Sequence, residues 1–180
     1  WRLDQRINDR GMLGDTDLAV AALRAVDRSK KILAKQAQDL SDGAVGATTQ
    51  RAKVLEFLSA GFGVDMEDLK GSSVEKLLET DGLHPDVRDM LANRLQASAT
   101  APAKYKALLN GVSSDGRLRG TLQFCGASRT GRDAGRVFQP QNLPRPVLKA
   151  EDIETGIAAM KADAEDLIYE NVMELCGSAV

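Results

Sequence analysis

The chain has 180 residues, 43% apolar and 28% charged, with a formal net charge of −2, which suits one ordinary domain or two small subdomains of a soluble protein. No run of about 18 apolar residues occurs, so no membrane-spanning helix is expected, and no charged-then-apolar leader of the secretory kind opens the chain. Cys125 and Cys176 are far apart and lack metal-ligand spacing, which fits a reduced intracellular setting better than a disulfide framework.

The first residue is Trp1 rather than Met, the pattern expected of a piece of a longer protein. The N-terminal half reads as helical. Leu3 and Ile7 followed by Gly11 predict a short helix with a glycine C-cap. Asp15 or Thr16 can cap the next helix. Its apolar positions, Ala19, Ala22, Val26, Leu33, Ala37 and Leu40, follow a 3.6-residue period. Residues 41–47 end it. A third helix is expected over residues 49–59, with Val54, Leu55 and Leu58 inward, before Gly61 and Gly63 break the pattern. Ser72-Ser73-Val74-Glu75 has the capping-box form and places a helix start near Ser72. Pro85 suits the first turn of a helix running toward Ser98. Pro102 should interrupt that run before a second one through Leu109.

The period then changes. Asp115-Gly116 is a hairpin-type turn, and Leu118, Gly120, Leu122 and Phe124 alternate with Arg119, Thr121 and Gln123. This predicts a small β-ribbon, with Cys125 as a packing residue. Residues 126–146 read as irregular. Residues 151–175 return to helix, with Ile153, Ile157, Met160, Ala164, Leu167, Val172 and Leu175 on its apolar side. Asp163, Glu165, Asp166 and Glu170 then fall mostly on a solvated face rather than forming a metal site. The expected fold class is mainly α (α+β), with a small β-ribbon and a C-terminal helix.

Charge is segregated. Residues 104–149 carry nine basic side chains against Asp115 and Asp133, a net +7, and residues 150–180 carry a net −7. This suits a surface facing a polyanion, or two faces that neutralise each other; charge alone leaves both open.

Three local features bear on chemistry. Residues 126–133 nearly match the phosphate-loop pattern. However, Arg132 stands where the lysine belongs and Asp133 where the metal-binding hydroxyl belongs, and Gly135 and Pro140 follow where a helix should begin. His84, the single histidine, lies beside Pro85 and reads as a solvated or capping residue, so no Ser-His-Asp set is expected. Arg129-Thr130-Gly131-Arg132 followed by Gln141-Asn142-Leu143-Pro144 suits a backbone running close along nucleic acid. Arginine supplies a rigid fork of donors, glycine lets the main chain approach, and Gln and Asn donate and accept at groove edges.

Thr130-Gly131-Arg132, with Gln141-Asn142-Leu143-Pro144 beginning nine residues after the arginine, resembles the T-G-R…Q-N-[IL]-P pattern of family A DNA polymerases. Tyr105-Lys106-Ala107-Leu108-Leu109, Asp115-Gly116-Arg117-Leu118-Arg119-Gly120, Gln123-Phe124 and Gly126-Ala127-Ser128-Arg129 are similar to the phage and prophage branch. Residues 3–11 resemble the start of that family's thumb. The resemblance touches residues 3–11 and most of 94–146. It implies long antiparallel thumb helices over residues 1–110 and a partial palm over 111–180, with the β-ribbon, an Arg/Gly-rich DNA-contact loop and an acidic helix. It implies that Arg132 reaches the minor groove at the primer terminus and that Gln141 and Asn142 lie near a template or primer backbone. Arg94 and Lys104 would be further DNA contacts, and Arg129 and Arg136 complete the expected DNA-binding set. The implied partners are primer–template DNA and the remaining palm and fingers, in a bacterial host cytoplasm, with no membrane.

The family's D-x-S-x-I-E-x-R, R-x-x-x-K-x-x-x-Y-G and H-D-E motifs are all missing from this sequence. No catalytic residue, metal ligand or cofactor is therefore expected in this chain. Mg2+ and dNTPs would belong to the complete enzyme, and the chain alone should not polymerise. The competing expectation is a non-enzymatic helical interaction module whose +7 and −7 segments pair internally or with a partner. A nucleotide-binding loop stands third.

Overall fold

The computed structural model describes residues 1–99 and 102–180. Helix α1 (Arg2–Arg10) ends where Gly11 takes φ 68° and returns its N–H to the Ile7 carbonyl at 2.9 Å, as expected. Its inward residue is Asp4, while Leu3 and Ile7 are exposed. Helix α2 (Thr16–Leu40) is capped by Asp15, whose Oδ1 accepts from the Leu18 N–H at 2.9 Å. The expected stripe is buried from Ala19 to Ala37, with Leu40 half-buried.

Helix α3 (Arg51–Phe62) takes Gly61 into its last turn and stops at Gly63, which adopts the left-handed conformation. Helix α4 (Gly71–Leu78) starts close to the expected place, but its N-cap, Lys70, makes no side-chain cap. Just ahead of the helix Asp68 Oδ1 accepts from the Lys70 N–H at 3.0 Å. The Lys70 ammonium holds the Asp68 carboxyl well below the usual carboxylate range. Helix α5 (Pro85–Ala97) carries Pro85 in its first turn and His84 as N-cap, with Nδ1 accepting from the Asp86 N–H at 3.3 Å. Helix α6 (Pro102–Gly111) opens on Pro102, where a missing N–H costs nothing.

The single ribbon expected after Asp115 is two separate sheets. Strand β1 (Met12–Leu13) pairs antiparallel with β2 (Arg117–Leu118), Met12 opposite Leu118. Strand β3 (Leu122–Gln123) pairs antiparallel with β4 (Ala134–Gly135), Leu122 opposite Gly135. The break is Gly120, at φ 65°. It shifts the alternation, so that Leu118 and Thr121 are both buried while Phe124 is exposed. Cys125, expected in the packing, is exposed just beyond β3 at φ 49°.

The single helix expected over residues 151–175 is also interrupted. Helix α7 (Ala150–Lys161) ends ahead of Asp163, which sits at φ 55°, and the Ala164 N–H returns to the Ala159 carbonyl at 2.9 Å. A 3-10 turn, Glu165–Leu167, follows. Helix α8 (Val172–Ser178) then begins at Asn171, whose Oδ1 accepts from the Glu174 N–H at 3.0 Å. The change of direction reverses two expectations: Glu165 is buried, at 1% exposure, and Leu167 is exposed, at 84%.

The fold is thus mainly helical with two small antiparallel sheets. It forms two compact units. Asp27–Ala99 has a core of Ala37, Val45, Val54, Leu58, Leu69, Val74, Val87, Met90 and Leu91. Trp1–Val26 with Thr100–Val180 has its own, including Ala19, Ala22, Leu118, Met160, Met173, Leu175 and Cys176. Burying one such Leu or Met side chain stabilises by roughly 1.5–3 kcal/mol. Among the described residues no helix is long and apolar enough to cross a membrane.

Candidate nucleic-acid interface

β3 and β4 are the two arms of a hairpin, and the Arg136 N–H extends it by donating to the Thr121 carbonyl at 2.8 Å. The arginine motif occupies the connection between the arms. The Ala127 N–H donates to the Arg132 carbonyl at 3.0 Å, and the Thr130 and Gly131 N–H groups donate back to the Ala127 carbonyl at 3.1 and 2.8 Å. Asp133 Oδ1 accepts from the Cys125 N–H at 3.1 Å and closes the base. Gly131 has open space around it but lies at φ 65°, so this turn needs glycine for its backbone rather than for room. The segment after Asp133 is a strand, not the helix a phosphate loop leads into.

Beyond β4 the chain turns sharply. Val137 and Gln139 both take positive φ, at 59° and 52°, around a buried Phe138. A 3-10 turn, Pro140–Asn142, follows, and Asn142 Nδ2 donates to Gln139 Oε1 at 2.8 Å. Arg136 donates through Nη2 to Gln123 Oε1 and through Nη1 to the Gly135 carbonyl at 3.2 Å. The Gln141 amide lies directly over Gly135, in the space a Cβ would fill.

These segments enclose an open cleft of about 590 Å3, lined by Arg132, Arg136, Gln139, Gln141 and Asn142, with Asp133 and the chain of 122, 127, 134 and 135. Four of the seven expected DNA contacts therefore meet in one place. Arg129 is exposed in the same hairpin loop. Lys104 is half-buried on α6 and donates to the Phe138 carbonyl at 2.9 Å, with its Nζ 5.9 Å from the Phe138 ring centre. Arg94 belongs to the other compact unit, where Nη1 donates to the Thr48 carbonyl at 3.2 Å. Sequence reading missed Gln123, Gln139 and Gly135. Gly135 and Gln139 line the cleft and Gln123 bonds its Arg136; these placements follow from strand register and a turn conformation, and neither leaves a residue-type signal.

The basic segment divides by use. Arg119 makes a two-point pair with Asp115, at 2.9 and 2.6 Å, and Arg117 donates to the Gly11 carbonyl at 3.2 Å. Among the described residues Arg129, Arg132, Arg136, Arg145 and Lys149 form no ion pair, and all five are exposed. Of the acidic segment's carboxylates Asp163 pairs with Arg24 at 3.4 Å, and the segment's Lys161 bonds Asp15 at 2.7 Å. Among the described residues no group of three or more His, Cys, Asp or Glu side chains could hold a metal ion.

Over 176 residues the chain is 36% identical to a protein of Bacillus phage SP02 named DNA polymerase. The match takes in 96% of this chain and 26% of that protein, so the chain spans about a quarter of this relative's length. No protein-family model matches the chain, and no solved structure matches it.

Proposed function

We propose that this chain is the primer–template-holding part of a family A DNA-directed DNA polymerase, comprising its thumb and the start of its palm. The observation that carries the reading is the cleft beside the β3–β4 hairpin. It brings two guanidinium groups, Arg132 and Arg136, together with the amides of Gln141 and Asn142. Guanidinium forks suit phosphates and base-edge acceptors, and side-chain amides suit sugars and minor-groove edges. The similarity to a phage protein named DNA polymerase supports the same reading. Residues 1–110 act as thumb and 111–180 as partial palm. The aspartates, metal ions and nucleotides of the transfer step belong to parts of the complete protein outside this chain.

Binding of this kind is dominated by phosphate contacts and largely ignores sequence. The test is fluorescence anisotropy of the 180-residue chain with a labelled primer–template duplex across a salt series. Affinity should fall steeply with salt, with a log–log slope of several units, and change little with duplex sequence. Absence of binding at low salt would remove the reading.

A further inference from the structure

We propose that Lys104 is a positioning residue of the cleft. Its ammonium, seated on the Phe138 carbonyl, holds a strained turn that sets Arg136 on one side and Gln141 and Asn142 on the other. The inference rests on the nucleic-acid reading of that cleft.

The turn is costly for the residues that form it. Val137 and Gln139 flank Phe138 at φ 59° and 52°. A β-branched residue at positive φ is an outlier that persists only when its surroundings hold it there. Three features do so. Phe138 is buried, at 9% exposure. Val137 sits over Gly111, where an added Cβ would lie 2.8 Å from Val137 Cγ1. Lys104 Nζ donates to the Phe138 carbonyl at 2.9 Å, between the two strained residues. A part-buried carbonyl beside an apolar ring is best served by a donor, and Lys104 supplies it.

The same turn connects the two sides of the cleft. Arg136 immediately precedes it, and the Asn142 and Leu143 N–H groups bond back to the Gln139 and Pro140 carbonyls at 3.0 and 3.2 Å. Lys104 thus acts on the cleft through the main chain, and its charge is used inside the fold. This separates it from Lys106, exposed on the same helix.

The test compares Lys104→Met with Lys106→Met, which removes the same charge. Hydrogen exchange in the free chain should rise about tenfold at the Asn142 and Leu143 amides in Lys104→Met and stay unchanged in Lys106→Met. On a primer–template duplex, Lys104→Met should weaken binding about tenfold in the parental chain but less than about twofold when Arg136, Gln141 and Asn142 are already Ala. Equal losses in both backgrounds, with the salt slope lower by about one, would make Lys104 a phosphate contact and overturn the proposal. Unchanged exchange at the two amides overturns it as well. If the parental chain binds no DNA, the functional reading falls, and the exchange result alone decides what Lys104 holds. Lys104→Gln, whose amide still donates but on a shorter stem, should raise exchange at the two amides less than Lys104→Met does, and it is compared with Lys106→Gln if the Met variant unfolds.

Discussion

Asn8 and Leu122 form a two-point clamp across 114 positions of sequence: Asn8 Nδ2 donates to the Leu122 carbonyl at 2.8 Å, and Asn8 Oδ1 accepts from the Leu122 N–H at 3.1 Å. A side-chain amide offers donor and acceptor side by side, as a neighbouring strand would. Helix α1 therefore covers the edge of β3 that β4 leaves open. The clamp fixes the base of the hairpin that carries the arginine loop.

Asn8→Ala would leave both main-chain groups of Leu122 partly buried without partners. The expected loss is roughly 1–3 kcal/mol, read from the midpoint of urea unfolding. Asn8→Asp should cost about as much, because it replaces the donor facing the Leu122 carbonyl with an oxygen. An unchanged midpoint for both variants would mean that the clamp does not persist in solution.

What could be read from the sequence is what local physics fixes. The glycine C-cap at Gly11, the Asp15 cap, the buried stripe of α2 and the helix opened by Pro85 depend on residues within a turn of one another. The two sheets do not. β2 pairs with β1, about a hundred residues earlier, and β3 with β4 across the arginine loop. The alternation around Gly120 suggested one ribbon because a positive φ that shifts the phase leaves no mark on the pattern. The acidic helix failed for a related reason. Its apolar spacing continues through residues 163–171, while the backbone turns at Asp163 and is capped afresh at Asn171. In the cleft, Arg132, Arg136, Gln141 and Asn142 were recognisable as residue types. Gln123 and Gly135 became visible only with the register that places them against Arg136 and Gln141.

The two cysteines should differ sharply. Cys125 is exposed, whereas Cys176 is buried, and burial pushes its thiol up to about 12. Only the thiolate reacts readily. Titration of the native chain with a thiol-reactive chromogen should therefore count one cysteine quickly and the second only on unfolding. Rapid reaction of both in the native chain would contradict the packing of Cys176 against Met160, 3.7 Å from it.

Asp115 gives a pH dependence of known sign. The Arg119 side chain hydrogen-bonds its carboxylate and lowers it from the usual 3.8 to about 2. A depressed carboxylate stabilises the fold above its unfolded value, and the contribution is lost as pH falls from 3.8 through about 2. The group is exposed, so salt should weaken the pair. A carboxyl-carbon NMR titration should place the midpoint near 2 at low salt and move it back toward 3.8 at high salt. A low-salt midpoint already at the usual value would rule the pair out.

Two glycines predict opposite outcomes for the same substitution. At Gly135 an added Cβ meets the far end of the Gln141 side chain, which can swing away toward solvent. Gly135→Ala should keep the fold within about 0.5 kcal/mol yet weaken DNA binding as much as Gln141→Ala does. At Gly156 the Cβ meets Leu175, which is wholly buried and has nowhere to go. Gly156→Ala should cost about 1–3 kcal/mol by overpacking. Thermal unfolding of the two variants checks the contrast, and equal stability would mean that the α7–α8 packing is looser than described.

Arg132 separates binding from folding. Its side chain is exposed and makes no ion pair among the described residues, so Arg132→Ala should shift stability by no more than about 0.5 kcal/mol. On the primer–template duplex the same change should lower affinity; a phosphate contact at this position would also make the salt slope smaller by about one. If the complete protein polymerises DNA as proposed, its primer extension should fall far more in Arg132→Ala than its melting temperature does, because the lost group would touch DNA near the growing end. Extension at the parental rate would show that Arg132 does not hold the primer. The exposed basic loop would then have to be explained by a different polyanion or by a partner protein.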